Sequence, residues 1–528
     1  MTKKIALLSC TFTVLCALLF FRVFSLCVTK SESAQAASRQ SNYTLTADTS
    51  RGMIYDCHLT PLVNNGRHYI AASSGSLSAN AALKAVFPAM KMSSTPFLVP
   101  LETPLYSSDV SLLSCVTRYA DPLAVHVIGH LDGDGNGAYG IERAYNDYLS
   151  RLSGKLKIRY KVDALYRALD SVQPEILSGG YNTAEGLVLT LDRQMQKIVE
   201  EEAPAWIEQG AVLITDVHTG AVRACLSLPD FDPNDLSKDL NNPQSPFINR
   251  AFSEHAVGST FKLAVTALAL ENGISTERSH TCEGWVNIGG QVFTCKNHAL
   301  PKTMNMVEAL ECSCNTYFIG LAQELTANRL AGFVKLLGFG EANILAQNMT
   351  SAAGVLPSLT DLLNPAELAN FGFGQGKLTA TPVQIAALIS TIANDGISVS
   401  PYLVEGTTTA DGSEILSHTP RAAGQRVFSM KTAKTLQQMM ISVVENGSGT
   451  RAKPENGSAG GKTASAQTGK KDEQGEELVD AWFSGFYPAD QPRYAIVIVN
   501  EGKNSGSRYA APLFKAICDR LYLSEKYG

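Results

Sequence analysis

A serine and a lysine three positions apart, Ser259 and Lys262, are the residues in this sequence best placed to do chemistry. On a helix that begins at Ser259, the lysine returns to the same face one turn later. A serine hydroxyl becomes a nucleophile when a neighbouring base takes its proton, and a lysine with a lowered pKa can be that base. The amino end of a helix also offers N–H groups to a developing oxyanion. The pair alone is also consistent with an N-cap serine and a solvated lysine, so partner residues must decide.

Two further motifs supply partners for such a site. The triplet Ser313-Cys314-Asn315 lies on a stretch that is predicted to be helical. Its serine can relay a proton to a leaving amine, and its asparagine can hold a substrate peptide group. The triplet Lys462-Thr463-Ala464 lies on a predicted strand, whose edge can pair with an extended peptide while the lysine and the hydroxyl face its carboxylate. Taken singly, each triplet is also common at caps, turns and solvated strand edges.

In this order the three motifs form the set found in penicillin-binding proteins and serine β-lactamases. The sequence resembles the class B penicillin-binding proteins, the monofunctional peptidoglycan transpeptidases, over nearly its whole length. The other segments that carry this resemblance are Arg51–Asp56, Gly137–Leu149, Thr219–Gly220, Ser227–Pro229, Phe231–Asn234, Asn249–Ala251, Thr381–Gln384 and Ile392–Gly396.

The resemblance implies a role for each motif residue. Ser259 attacks the penultimate D-Ala carbonyl of a stem peptide, with Lys262 as general base and Ser313 as proton shuttle. Asn315 and Lys462 orient the substrate and tune the electrostatics. The implied substrate-binding residues are Thr463, Ala464 and Ser465, and the implied oxyanion hole is formed by the backbone N–H groups of Ser259 and Ser465. The amine of a neighbouring stem peptide then takes the acyl group and completes the cross-link. The resemblance also implies that β-lactams acylate Ser259. No metal or cofactor is expected.

Two positions depart from the family pattern. The third motif usually ends in glycine, which lets another backbone approach closely, so we expect the methyl group of Ala464 to narrow the cleft. Arg51–Asp56 resembles the first motif of the domain that precedes the catalytic domain in this family, the pedestal domain. Cys57 stands where that motif usually has arginine, and the lost charge is expected to weaken local contacts in the pedestal without affecting the catalytic residues.

Length and composition indicate a globular protein of two or three domains, because 45% of the 528 residues are apolar and 18% are charged. The net charge of −5 and the absence of a basic stripe argue against a nucleic-acid partner. Strands near residues 187–227, a helical block to about 394, and later strands with a closing helix predict an α/β (α+β type) fold with a mainly antiparallel sheet. The resemblance implies a serine β-lactamase/transpeptidase-like catalytic domain at 181–528, preceded by an elongated, dimerisation-like pedestal domain at 29–180.

Residues 1–28 are predicted to form a cytoplasmic tip and a transmembrane anchor. The run from Ile5 to Phe21 is apolar and uncharged, and Arg22 can reach the far interface. Lys3 and Lys4 place the N-terminus in the cytoplasm and the rest of the chain outside. A cleaved signal peptide is the alternative, since Ala34-Gln35-Ala36 resembles a cleavage site, but the apolar run exceeds the usual signal core.

The eleven cysteines are an odd number and include no C-x-x-C pair, which argues against a zinc ribbon or a full disulfide framework. Cys282 and Cys295 bracket a short polar loop and can either pair or remain free thiols. Cys312 and Cys314 are too close in sequence for an easy bridge.

Several other functions compete with the transpeptidase hypothesis. A serine β-lactamase or carboxypeptidase shares the fold, but no motif clearly delivers a deacylating water. A β-lactam-sensing receptor needs several membrane spans, and the sequence has one. The intact motifs argue against an idle scaffold, although Ala464 keeps it open. Because roughly 150 residues before the catalytic domain leave no room for a glycosyltransferase, a membrane-embedded glycan polymerase is the expected partner, in elongation, division or sporulation.

Overall fold

The computed structural model describes residues 2–28, 41–169, 172–295, 297–471, 475–503 and 505–527. The helices are α1 (Thr2–Val28), α2 (Leu77–Val86), α3 (Val125–Ile128), α4 (Gly140–Ala144), α5 (Asn146–Arg151), α6 (Arg193–Glu202), α7 (Lys262–Glu271), α8 (Met306–Glu311), α9 (Asn315–Leu325), α10 (Ala327–Leu336), α11 (Leu359–Leu362), α12 (Pro365–Gly372), α13 (Pro382–Ala393), α14 (Met430–Asn446), α15 (Gly506–Tyr509) and α16 (Ala511–Tyr527). Turns of 3-10 helix lie at Ala203–Ala205, Leu236–Lys238, Gly258–Phe261 and Thr450–Ala452.

The strands, in chain order, are β1 (Asn42–Ser50), β2 (Met53–Tyr55), β3 (Gly66–Ser73), β4 (Phe97–Leu101), β5 (Val110–Thr117), β6 (Gly154–Lys161), β7 (Glu175–Leu177), β8 (Gly186–Leu189), β9 (Gly210–Asp216), β10 (Val222–Leu228), β11 (His255–Ala256), β12 (His280–Cys282), β13 (Trp285–Ile288), β14 (Gln291–Thr294), β15 (Lys302–Met304), β16 (Ile344–Ala346), β17 (Met349–Thr350), β18 (Thr379–Ala380), β19 (Ile397–Ser398), β20 (Val404–Thr408), β21 (Ile415–His418), β22 (Gln425–Arg426), β23 (Gly460–Lys471), β24 (Glu477–Tyr487) and β25 (Tyr494–Asn500). The chain divides into two compact units, each discontinuous in sequence: the first is Met1–Arg51, Gly66–Arg118 and Ser153–Thr183, and the second is Gly52–Asn65, Tyr119–Leu152 and Ala184–Gly528.

The first unit contains the N-terminal helix and two small antiparallel sheets, with strand orders β1-β6-β7 and β4-β3-β5. Ile70, Leu113 and Ile158 come from both sheets and share one hydrophobic cluster, which holds the unit together. Among the described residues, Lys3–Ser25 within α1 is the one segment long and apolar enough to cross a membrane.

The boundary between the units differs from the prediction that residues 29–180 form one pedestal domain. Strand β2 pairs in parallel with β8, with Met53 opposite Gly186. Ile141 and Leu149 are fully buried in the hydrophobic cluster that also contains Phe261. These contacts between residues distant in sequence draw 52–65 and 119–152 into the second unit, where residues 140–151 form the two short helices α4 and α5.

The second unit is built on a five-stranded antiparallel sheet of order β10-β9-β25-β24-β23. Helices cover both of its faces. Val497 and Val499 pack in the cluster that contains Leu263 of α7, whereas Ile496 and Ile498 pack in the cluster that contains Phe514 of the closing helix α16. Successive residues of a strand point to opposite faces, so a strand covered on both sides needs this continuous apolar run. The predicted order of strands, helical block, strands and closing helix is confirmed.

Candidate active site

Ser259 lies in the 3-10 turn Gly258–Phe261, which runs directly into α7. The α-helix therefore begins three residues later than predicted, at Lys262. Residues i and i+3 eclipse in a 3-10 turn, so the serine and the lysine still share a face. Gly258 fixes the turn against the sheet: its φ is +60°, and a Cβ there would lie 3.0 Å from the Cβ of Ala466 on β23. A glycine is required at this position because the backbone there is left-handed and because it lies against strand β23.

The Lys262 side chain is fully buried, which excludes the alternative of a solvated lysine. Its Nζ donates to Ser313 O at 2.8 Å, to Ser313 Oγ at 3.1 Å and to Asn315 Oδ1 at 2.8 Å. Burial lowers the pKa of Lys262 to about 8, against the opposing influence of the thiols of Cys314, Cys295 and Cys312. A lysine whose pKa lies close to neutral pH has the property that a general base needs.

Ser313 lies in the link between α8 and α9, so the helical stretch predicted for the second motif is wrong at this residue. The amide N–H groups of Ser313 and Cys314 donate back to Leu310 O and Ala309 O, at 3.2 and 2.9 Å, and so close α8. The φ of Ser313 is +56°, a left-handed conformation that commonly ends a helix. Non-glycine residues held in this conformation concentrate at functional sites.

Lys462 approaches the same hydroxyl from the sheet. Its Nζ donates to Ser313 Oγ at 3.1 Å and to Thr463 O at 2.9 Å, and its side chain is fully buried. Burial, together with the charge of Lys262, lowers the pKa of Lys462 well below its usual range. Since the Ser313 hydroxyl lies within 3.1 Å of both amines, a proton can pass between them through it.

The three motifs line one cleft, with a cavity volume of about 340 Å³. Strand β23 forms one wall and, among the described strands of its sheet, has a neighbour on one side only. Thr463 Oγ1 lies 2.9 Å from Ser448 Oγ, and Ser465 is exposed. The residues of the cleft that were predicted from the motifs are Ser259, Ser313, Asn315, Thr463, Ala464 and Ser465.

Sequence reasoning missed other residues of the cleft, including Asn297, Phe373, Gln375 and Ser448. Asn297 Nδ2 donates to Ser313 O at 2.7 Å and so supports the second motif. Phe373 and Gln375 belong to the glycine-rich stretch 372–376, whose composition was a usable signal for a loop near the site. Asn297 and Ser448 have no comparable signal, because neither belongs to a motif and both are brought in by the fold.

Ala464 is only 3% exposed and lies on the cleft wall. We expect an Ala464→Gly variant to be acylated faster by β-lactams, because removal of the methyl group widens the cleft beside the substrate strand. If the methyl group costs the bound inhibitor about 1 kcal/mol of overpacking, the gain is about fivefold. Acylation rates can be measured by stopped-flow fluorescence for both proteins, with thermal melting as the control for the extra flexibility of glycine. Equal rates in two folded proteins would contradict the expectation.

Solved structures define the class of fold. Penicillin-binding protein 3 of Mycobacterium tuberculosis superposes with a TM-score of 0.67 at 23% identity, covering 92% of this chain and 98% of that one. The same M. tuberculosis protein has also been solved in complex with ampicillin. The second unit therefore has the fold of penicillin-binding transpeptidase domains.

The family model of the penicillin-binding protein transpeptidase domain matches residues 210–519. The chain belongs to this family, and its resemblance to class B penicillin-binding proteins is confirmed.

Two relatives illustrate the similarity. Stage V sporulation protein D of Bacillus subtilis is 28% identical over 404 residues, which cover 74% of this chain and 60% of the relative. Peptidoglycan D,D-transpeptidase FtsI of Escherichia coli K12 is 29% identical over 406 residues, 75% of this chain and 65% of the relative. The chain thus spans less than two thirds of the length of these relatives.

Proposed function

We propose that this protein is a serine-type peptidoglycan D,D-transpeptidase that cross-links stem peptides. The observation that carries the proposal is the position of the Ser313 hydroxyl, 3.1 Å from the buried amines of both Lys262 and Lys462, in the cleft that Ser259 lines. An activated serine needs a base with a low pKa and a path for its proton to the leaving group, and this arrangement supplies both.

The proposed reaction has two acyl-transfer steps. Ser259 Oγ attacks the carbonyl of the penultimate D-Ala while neutral Lys262 takes the hydroxyl proton. The C–N bond to the terminal D-Ala breaks, and the proton passes through Ser313 to the departing amine. The amine of a second stem peptide then attacks the ester, loses a proton to the same relay, and returns the hydroxyl to Ser259. The backbone N–H groups of Ser259 and Ser465 would stabilise the oxyanion in each step.

The substrate is proposed to bind as an extra strand. The edge of β23 that has no neighbour among the described strands of its sheet offers backbone groups to an extended peptide, which would add to the sheet by main-chain hydrogen bonds. Thr463, Ala464 and Ser465 lie along this wall, and Asn315 stands in the same cleft to hold a peptide group. β-Lactams imitate the D-Ala-D-Ala end, so we propose that they acylate Ser259.

We further propose that α1 anchors the protein in a membrane, with the N-terminus in the cytoplasm and the chain after α1 outside. Lys3 and Lys4 at the start of the helix support this orientation through the positive-inside rule. The first unit would act as the pedestal. A membrane-embedded glycan polymerase would supply the strands that the transpeptidase joins, in elongation, division or sporulation.

The test is a transfer assay with the full-length protein in detergent. We expect incubation with a stem peptide ending in D-Ala-D-Ala and an amine acceptor to release one D-Ala for each new amide bond, measured by mass spectrometry. Release of D-Ala with only a shortened peptide would indicate a carboxypeptidase. Rapid hydrolysis of penicillin instead would indicate a β-lactamase, and either result would contradict the proposal.

A further inference from the structure

Four side chains that can bind a metal meet beside the Ser313 link: Cys282, Cys295, His298 and Cys314. Their ligand atoms all lie within 4.8 Å of one another. The three cysteines are buried free thiols, and His298 is half-buried. They come from three segments of the second unit, namely the end of β12, the loop after β14, and the link between α8 and α9. None of the four has a role in the proposed acyl transfer.

Two distances within this cluster match those of a tetrahedral zinc centre, and the remaining ligand atoms lie within 4.8 Å of one another. Cys295 Sγ lies 3.9 Å from Cys314 Sγ and 3.6 Å from His298 Nε2. Zinc bonds of about 2.3 Å to sulfur and about 2.05 Å to nitrogen, at tetrahedral angles, separate two sulfurs by about 3.8 Å and a sulfur from a nitrogen by about 3.6 Å. Disulfide sulfurs lie about 2.05 Å apart, so the spacing corresponds to a shared metal rather than to a bridge.

The groups around the cluster orient its ligands as metal sites require. His298 Nδ1 lies 2.9 Å from Ala299 O, and a hydrogen bond there places the ring proton on Nδ1 and leaves Nε2 free for a metal. The backbone N–H of Asn315 donates to Cys295 Sγ at 3.4 Å, and the hydroxyl of Thr316 lies 3.3 Å from Cys314 Sγ. Hydrogen-bond donors directed at sulfur stabilise the thiolate form that binds metal.

We propose that Cys282, Cys295, His298 and Cys314 bind one Zn²⁺ as a structural Cys3His site. Thiolate and imidazole ligands favour zinc over the hard cations, which prefer oxygen. Four protein ligands complete the tetrahedron and leave no open position, so the site is structural rather than catalytic. Binding releases the three thiol protons to solvent, and the metal with its three thiolates carries a net charge of about −1.

The site ties the second catalytic motif to the β13–β14 hairpin. Cys314 stands between Ser313 and Asn315, the two residues that contact Lys262 Nζ. Asn297 lies between two of the ligands in sequence and donates to Ser313 O. A metal that joins these segments holds the left-handed Ser313 link in place, so it acts as a positioning element for the proposed relay. Metal binding itself does not depend on the proposed function.

No metal is expected from the sequence, and the absence of a C-x-x-C pair argues only against a zinc ribbon. The overlooked signal is the C-x-x-H pair of Cys295 and His298. Twelve residues separate Cys282 from this pair on one side, and fifteen separate it from Cys314 on the other. Such spacings are too irregular to recognise without the fold, because the first and last ligands belong to different elements.

The first experiment measures metal in the full-length protein purified in detergent without chelators. We expect inductively coupled plasma mass spectrometry to find about one zinc per chain in wild type and almost none in Cys282→Ala or His298→Ala. Cys225→Ala is the matched control, since Cys225 is also a buried thiol but lies in β10, outside the cluster, and this variant should keep its zinc. Exchange for Co²⁺ should give the thiolate charge-transfer bands of a tetrahedral centre.

The second experiment removes the metal from wild type, so it does not depend on variants that fold. We expect a chelator to lower the melting temperature and to slow penicillin labelling about tenfold, with both restored by zinc. Absence of zinc from wild type, retention of zinc by Cys282→Ala, or a Cys295–Cys314 disulfide detected as a mass loss without metal would each overturn the proposal. Zinc in a protein that penicillin does not label would support the metal site and contradict the transpeptidase proposal instead.

Discussion

Replacement of Ser259 by alanine is expected to abolish covalent labelling by a fluorescent penicillin. In the proposed reaction the ester forms on the Ser259 hydroxyl, and an alanine side chain has no group that can accept the acyl chain. We expect the acylation rate to fall by about 10⁴- to 10⁶-fold, the range seen when a catalytic serine is removed. Gel fluorescence after denaturation and the intact mass of the protein both report the covalent adduct.

Ser253→Ala is the matched control for this substitution. Ser253 lies six residues upstream, and its hydroxyl donates to Asn249 O at 2.9 Å, away from the catalytic cleft. We expect this variant to be labelled as fast as wild type. A label that survived in Ser259→Ala, mapped by peptide mass spectrometry to another serine, would show that the nucleophile had been assigned wrongly. Thermal melting separates loss of the nucleophile from loss of the fold.

Substitution of Lys262 by methionine is expected to have the next largest effect, because it removes the base and keeps the shape. We expect acylation by penicillin to slow by about 10²- to 10⁴-fold, the usual contribution of a general base. The free energy of unfolding should change by no more than about 2 kcal/mol. Removal of a buried charge stabilises the folded protein, and this gain offsets the cost of losing the hydrogen bonds from Lys262 to Ser313 and Asn315.

The pH profile of wild type tests the same lysine. Only the neutral amine can take the serine proton, so the acylation rate should rise with pH and level off above about 8, the pKa to which burial lowers Lys262. Several titratable groups also face this amine: Lys462 from β23, Cys312 and Cys314 from the Ser313 link, and Cys295 from the hairpin loop. In Lys262→Met the residual acylation rate should no longer rise near pH 8.

Lys335→Met is the control for Lys262→Met, because Lys335 is an exposed lysine at the end of α10. It should leave the rate and the pH profile unchanged. A step near pH 8 that persisted in Lys262→Met would assign the titration to one of the neighbouring groups. A rate equal to that of wild type would remove Lys262 from the proposed mechanism.

The catalytic motifs could be found in the sequence because their signals are local. Ser259 and Lys262 are three residues apart, and each of the other motifs is a run of three residues, so a spacing rule identifies them without a fold. The strands of the main sheet were equally readable, since β9, β24 and β25 are apolar runs bounded by turns. Such patterns survive folding because each element satisfies its own backbone hydrogen bonds and buries its own apolar side chains.

The tertiary structure decided whatever depends on residues far apart in the chain. The left-handed Ser313 follows from how α8 ends, and the burial that lowers the pKa of Lys262 comes from helices and a strand separated from it by up to 200 positions. The second unit collects 52–65 and 119–152 because β2 pairs with β8 and because α4 and α5 share its core. The proposed metal cluster forms only after β12, the hairpin loop and the Ser313 link have packed, because these three segments supply Cys282, Cys295, His298 and Cys314. Composition and spacing determined which chemistry was available, and long-range packing decided which groups would meet, since proximity in space is not encoded in any single segment.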